Sequence, residues 1–271
     1  MRIFFYFLIF ISSINSGYTS NNNVLKVLST TSTRDSGFYN YLLPKFEEQY
    51  KVKVYVIATG TGQAIKNAQN CNGDILITHA PDLEKEFVKN KFGVSRHNLM
   101  YNDFVLIGPK TQLRELQKLT NITDVFSYLA FNKIKFISRG DNSGTNISEH
   151  KIWNLSNINI KNHSGDWYLE TGQGMGATLN IAVATNSYVY SDRATWLKFK
   201  NKQNHMIVYE NDHLMFNQYS IVQINPKYCT MINNKLADTF FKWITSKDVQ
   251  QLIKNYKLDG KSLFVPNFQN E

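Results

Sequence analysis

Dense runs of charge of one sign are missing from this chain. It carries 30 Lys and Arg against 21 Asp and Glu over 271 residues, a formal net charge of +9, yet the basic residues are scattered among Asn, Asp and Glu. Scattered cations give a general positive field rather than the clustered stripe that grips a nucleic-acid backbone. No nucleic-acid partner is therefore expected, while a small anion would be drawn in. Cysteine is scarce, at Cys71 and Cys229 only, and none stands near the N-terminus, which argues against lipid attachment at a processed N-terminal cysteine. The histidines form no H-x-x-x-H pair or H-E-x-x-H helix, and neither a Walker A loop nor a G-x-S-x-G elbow is present. An enzyme would need a metal set or an activated nucleophile, and neither shows. No stretch after residue 11 is long or apolar enough to span a bilayer. There is no internal repeat.

Two features stand against these absences. Arg2, the unbroken apolar residues 3–11 and the small polar residues 12–20 read as a secretory signal peptide, residues 1–20, and predict an exported protein. Removing it takes away Arg2 alone, so +9 − 1 leaves +8. In an exported chain Cys71 and Cys229 could pair, provided the fold brings their strands together. The remaining length buries a full core as one large domain or two lobes, and 42% apolar with 19% charged residues is ordinary for a globular protein.

Short apolar runs alternate with helical patterns. Strands are expected at 24–28, 53–58 and 74–78, with helices at 37–50, 62–70 and 81–89; Pro81 begins the last, and Pro44 sits awkwardly in the first. That βαβαβα order implies a parallel sheet covered by helices. A strand at 104–108, ended by Pro109, leads into a second α/β series over 120–212. It holds a strand at 134–137, helices at 143–155 and 175–185, and a strand at 187–191. A strand at 219–224 and helices at 235–245 and 247–256 close the chain. Two α/β series suggest two lobes with a cleft, and ligands of open parallel sheets sit beyond the carboxyl ends of the strands.

Three of those positions share one chemistry. After the first strand come Ser29, Thr30, Thr31, Ser32 and Thr33; after the second, Thr59-Gly60-Thr61-Gly62; after 134–137, Arg139-Gly140-Asp141-Asn142-Ser143-Gly144-Thr145. Each puts hydroxyls and backbone N–H groups at an expected helix start, where unsatisfied donors and a partial positive charge favour an anion. Each alone is also a plain cap or turn; three together facing one cleft are hard to explain by capping. Asp141 is placed to orient Arg139 rather than to meet a ligand. Asp74, at the start of the third strand, reads as structural. A fully ionised tetrahedral oxyanion accepts hydrogen bonds and donates none, so a donor-only site favours molybdate, tungstate or sulfate over a protonated phosphate. About six to eight charge-assisted bonds of roughly 1.5–3 kcal/mol each would offset the desolvation of a dianion. The glycine-rich segment 167–176 fits a turn entering a helix better than a dinucleotide fingerprint, with its N–H groups near the ligand. His79 lines the cleft or is simply packed, and the packed reading is favoured. Asp192-Arg193 reads as a structural lock at a helix start.

Several of these segments, taken together, resemble the extracytoplasmic tungstate-binding proteins of ABC transporters: Thr30-Thr31-Ser32-Thr33, Ala58-Thr59-Gly60-Thr61-Gly62-Gln63-Ala64, His79-Ala80-Pro81, Met100-Tyr101-Asn102-Asp103-Phe104-Val105, the stretch from Phe136 to Thr145, Gly172-Gln173-Gly174-Met175-Gly176 and Ser191-Asp192-Arg193-Ala194-Thr195. The resemblance covers nearly the whole mature chain. It implies an α/β fold of the two-lobed type II periplasmic-binding-protein kind, each lobe a mainly parallel sheet flanked by helices, joined by two crossing strands at 103–108 and 219–224. Lobe 1 would be residues 21–107 with 219–271, and lobe 2 residues 108–218, which would put Cys71 and Cys229 in one lobe. Ser32, Thr33 and Thr61 would bind the oxyanion from lobe 1, and Arg139, Ser143, Gly144 and Thr145 from lobe 2, with Asp141 in support. The resemblance further implies no covalent chemistry, no cofactor, tungstate as the transported ligand, a periplasmic monomer, and the membrane permease of an ABC importer as partner. Molybdate, sulfate or phosphate on the same scaffold, and an exported phosphate- or sulfate-ester hydrolase, are the alternatives. Arg34 departs from the family's pattern, and either sits near the site or points to solvent.

Overall fold

The computed structural model describes residues 23–258 and 260–269. The expected signal peptide lies outside the described residues. The first α/β series runs β1 (Val24–Thr30), α1 (Thr31–Asp35), α2 (Phe38–Tyr50), β2 (Lys53–Thr59), α3 (Thr61–Gln69), β3 (Ile75–Thr78) and α4 (Pro81–Lys89), and then enters the long strand β4 (Gly93–Pro109). The second runs α5 (Leu113–Leu116), α6 (Ile122–Phe131), β5 (Phe136–Ser138), α7 (Gly144–Leu155), β6 (Tyr168–Glu170), α8 (Met175–Ala184), β7 (Tyr188–Asp192), α9 (Arg193–Lys198) and β8 (His205–Tyr209). The chain returns through β9 (Phe216–Ile224), α10 (Asn234–Ile244) and α11 (Lys247–Asn255), and ends in the short strands β10 (Lys257–Leu258), β11 (Lys261–Ser262) and β12 (Val265–Pro266).

Strand pairing separates two lobes. In the first, β2, β1 and β3 are parallel, and β9 joins β3 antiparallel. In the second, β6, β5 and β7 are parallel. β4 belongs to both: Gly93 to Asp103 pairs antiparallel with β9, and Phe104 to Ile107 pairs antiparallel with β7. The change of sheet therefore falls between Asp103 and Phe104. The expected crossing at 103–108 lies almost wholly in the second sheet. The expected return at 219–224 lies inside the first, because the chain has already crossed back by Phe216, the partner of Asp103.

Period-two alternation builds both cores, since successive strand residues face opposite sides. In β1 and β3, Leu25, Val27, Ile75 and Ile77 join α2 and α10 residues on one face, while Leu28 and Leu76 join Ala64, Ile65 and Phe87 on the other. In the second lobe Phe104, Leu106, Phe136, Tyr188 and Tyr190 face one core, and Val105, Ile107, Ile137 and Val189 the other. Both faces being covered, these strands read as continuous apolar runs. α9 straddles the lobes, with Ala194 in a first-lobe core and Trp196 in a second-lobe core. Cys71 and Cys229 form a disulfide, Cα atoms 5.3 Å apart, tying the end of α3 to the loop after β9. Asp74 accepts from Lys26 N and Asn233 N, each at 2.7 Å, and so joins β1 to the start of α10. Pro44 stands inside α2 without ending it.

Candidate functional site

Helices α1, α3 and α8 start at one cavity of about 390 Å³ between the lobes, lined by Thr31, Ser32 and Gly60 from the first lobe and by Arg139, Gly174 and Met175 from the second; of the turn leading into α7, Arg139 and Asp141 reach it, while Gly144 lines a neighbouring cavity instead. α3 and α8 begin after Gly60 and Gly174, neither of which offers a side-chain cap, so the first-turn N–H groups of both helices are left for another acceptor. α7 is capped by Ser143 Oγ, which accepts from Asn146 N at 3.4 Å. α1 lacks a side-chain cap as well.

The turn from Arg139 to Thr145 is shaped by backbone that few residues adopt. Gly140 has φ +61°, and a Cβ there would lie 2.7 Å from Glu170 Cβ; Asn142 follows at φ 55°. This fold-back brings Asp141 beside Arg139. Arg139 Nη2 donates to Asp141 Oδ2 at 2.5 Å, and Asp141 Oδ1 accepts from Ser143 N at 3.2 Å. Arg139 is 5% exposed, and its Nε is buried with no hydrogen-bond partner. The hydroxyls of Thr61 and Thr145, both about 1% exposed, are equally buried and unpaired. Buried donors are almost always satisfied, and each one left alone costs about 1–3 kcal/mol. Of these three groups Arg139 lines the cavity, Thr61 follows Gly60 on its wall and Thr145 lies behind it in the first turn of α7; all three can donate to a ligand rich in acceptors.

The other residues singled out in the sequence sit as follows. Ser32 lines the cavity, whereas Thr33 is fully buried behind it, its hydroxyl 2.7 Å from Thr30 Oγ1. Gly144 packs against the His79 ring: a Cβ would sit 2.3 Å from His79 Cε1. Gly174, Met175 and Gly176 line the cavity. Arg34 stands at the cavity edge, its side chain 53% exposed and paired with Asp35. The Asp192-Arg193 lock is corrected in part. Asp192 caps α9, accepting from Thr195 N at 2.8 Å and Thr195 Oγ1 at 2.7 Å, but Arg193 turns away to Asp103 and Glu210. Two carboxylates, Asp103 at the change of sheet and Glu210 after β8, draw it there, in a partly exposed cluster.

Two buried networks escaped the sequence. Beneath the turn, Glu149 accepts from Tyr168 OH at 2.7 Å, Ser138 Oγ at 2.9 Å and Trp153 Nε1 at 3.1 Å. Ser138 Oγ in turn accepts from Asn146 Nδ2, whose Oδ1 accepts from Asn142 N. Burial pushes the Glu149 carboxyl up to about 8, against the pull of those three donors. At the crossing strands, Asn217 donates to Asn102 Oδ1 at 2.7 Å and accepts from His79 Nδ1 at 2.8 Å. The second joins residues more than a hundred positions apart in the chain, while the first lies within residues 138–168 and depends on how α7 packs on β5 and β6.

Residues 16–248 match the family described as the PBP superfamily domain. A tungstate-binding protein, TupA, of Campylobacter jejuni is 39% identical over 239 residues, covering 86% of this chain and 87% of the relative. Among solved structures, the tungstate binding protein TupA from Desulfovibrio alaskensis G20 superposes with a TM-score of 0.79 at 38% identity, covering 91% of this chain and 99% of that one. The tungstate ABC transporter structure from Geobacter sulfurreducens gives 0.77 at 38% identity, covering 86% and 98%.

Proposed function

The chain belongs to the PBP superfamily and, within it, to the family of the tungstate-binding proteins, and from that premise we propose that it captures tungstate between its lobes as the solute-binding component of an ABC importer. It is a binding protein and not an enzyme. The observation that carries the reading is the trio of buried, unpaired groups able to donate, Arg139 Nε, Thr61 Oγ1 and Thr145 Oγ1, together with the starts of α3 and α8 that lack side-chain caps. A tetrahedral dianion has acceptor oxygens on every side and no proton to give, so it satisfies such a set completely.

The oxyanion set is Ser32, Thr33 and Thr61 from lobe 1 with Arg139, Ser143, Gly144 and Thr145 from lobe 2, and Asp141 orients Arg139. Gly174 to Gly176 add backbone donors. Lobe 1 comprises residues 21–107 with 219–271 and lobe 2 residues 108–218; strand pairing supports drawing the first boundary earlier, between Asp103 and Phe104, and the second at Phe216. Hinge closure supplies affinity because donors from both lobes complete one shell. The mature protein acts as a periplasmic monomer and hands its ligand to membrane permease subunits. Among the described residues no helix is long and apolar enough to cross a membrane.

Titration calorimetry with tungstate, molybdate, sulfate and phosphate tests the ligand. Tight tungstate binding with weak phosphate binding is expected. Tight phosphate binding with no response to tungstate overturns the assignment.

A further inference from the structure

His79 stands behind the anion cavity, between the two lobes, and its hydrogen bonds leave it one free position. The residue is 6% exposed. Its ring stacks on Tyr219, centroids 4.8 Å apart and 16° from parallel, and Gly144 of α7 closes its other side. Asn217 sends its amide hydrogens to Asn102 Oδ1 at 2.7 Å and Tyr219 OH at 3.2 Å, so its Oδ1 is an acceptor. His79 Nδ1 therefore donates to it at 2.8 Å. In a neutral ring Nε2 then carries a lone pair. That lone pair faces Ser32 Oγ at 3.5 Å.

This arrangement conflicts with a bound oxyanion. Ser32 lines the cavity and has one hydroxyl hydrogen, and its Oγ also meets the hydroxyls of Thr30, at 3.2 Å, and Tyr219, which can donate to it but leave the Nε2 lone pair without a donor. If Ser32 gives that hydrogen to the ligand, two lone pairs confront each other at Nε2 and Oγ. If it gives the hydrogen to His79, a lone pair confronts the anion. A second proton on His79 removes the conflict.

Charge points the same way. Arg139 is already paired with Asp141, while Arg34 is exposed and paired with Asp35. A dianion buried against a neutral pair leaves charge to be offset. The charged groups facing His79 are Asp192 from β7, Glu84 from α4 and Arg139. Glu84 is held by Arg96 and Asp192 by Thr195, so neither is free to move toward the ligand. On the far side His79 borders a second cavity of about 400 Å³ with Asp82, Lys151 and His213.

We infer that His79 is a positioning residue that takes up one proton from solvent when the oxyanion enters, so that Nε2–H donates to Ser32 Oγ and the Ser32 hydroxyl donates to the anion. The inference rests on the tungstate reading of this site. Without ligand, burial keeps the ring neutral by lowering its pKa below the usual 6.5. The nearby dianion favours the imidazolium and raises it. Over the interval between those two values, binding consumes a proton, so affinity falls as pH rises, by about tenfold per pH unit at full coupling. The chain His79–Asn217–Asn102 ends one residue before the change of sheet at Asp103, so the same proton tightens the network at the crossing strands.

The test is calorimetric titration of the full mature protein with tungstate in buffers of different ionisation heat. Proton uptake, approaching one per tungstate, is expected above the lowered pKa of the free ring, with affinity weakening as pH rises through that interval. His79→Gln, whose amide donates to Ser32 without titrating, should bind with no proton uptake and a flat pH profile. Imidazole-selective NMR of the wild-type protein reports the same event independently of that variant: the His79 signals should move to imidazolium positions on adding tungstate. Tungstate binding without proton uptake, an unmoved His79 signal, or unchanged uptake in His79→Gln overturns the inference. Absence of tungstate binding at every pH instead overturns the functional reading beneath it.

Discussion

Arg139 is a buried cation with one nitrogen committed to Asp141 and Nε committed to nothing. A guanidinium offers several donors in a fixed plane, which an ammonium cannot copy. Arg139→Ala should weaken tungstate binding by about 100-fold or more, losing charge-assisted bonds of roughly 1.5–3 kcal/mol each, as read by calorimetry; unchanged affinity would remove Arg139 from the site. Arg139→Lys should recover only part of the loss. Gly144 is a second residue-scale test. The Cβ of Gly144→Ala would overlap the His79 ring, which Tyr219 backs, so about 1–3 kcal/mol of stability should be lost, read from the urea midpoint. A variant as stable as the wild type would mean that the lobes part there at little cost. Arg139, Ser32 and Thr61 stood out in the sequence because donors at helix starts leave a local signature. Asn102, Asn217 and Glu149 did not, since what makes them matter is who meets them.

α7 shows what a single helix contributes. Its first turn holds Gly144 against the His79 ring and Thr145 with its hydroxyl buried and unpaired, and its second carries Glu149, whose hydrogen bonds run through Ser138 and Asn146 to the backbone of the turn. Burial raises the Glu149 carboxyl to about 8. An unfolded glutamate releases its proton near pH 4.5. Between about pH 4.5 and 8 the folded state alone keeps the proton, so stability is greatest below that interval and declines as pH rises through it. Denaturant titrations across the interval should show this slope, and Glu149→Gln should flatten it; a slope that survives the substitution assigns it elsewhere. At this scale the βαβ series was legible, because alternating apolar strands and helices with a 3.6-residue period leave clear marks. The Gly93 to Asp103 half of β4 was missed, since the consecutive polar residues Ser95, Arg96, His97 and Asn98 break the apolar alternation. β6, with three residues, is too short to show a period.

The whole molecule is two lobes that share the strand β4, with a cross-link inside the first. The Cys71–Cys229 bond spans 158 residues of sequence. Reducing it, or replacing both cysteines with Ser, should cost about 2–5 kcal/mol in stability while leaving tungstate affinity nearly intact, because the bond lies away from the cavity. Lost affinity without lost stability would show instead that the bond shapes the site. Ligand should stabilise the entire fold: tungstate at 100 times its dissociation constant is expected to add about 2.7 kcal/mol, visible as a higher thermal midpoint. The sequence by itself determined the α/β class, the two series of elements and the donor-only chemistry, because apolar period and helix-start composition are local properties. Tertiary structure decided which donors are left without partners, that the cysteines meet, where β4 changes sheets, and that His79 closes against Gly144 behind Ser32. Those are relations between residues far apart in the chain, fixed only when two sheets share one strand and enclose a common cavity.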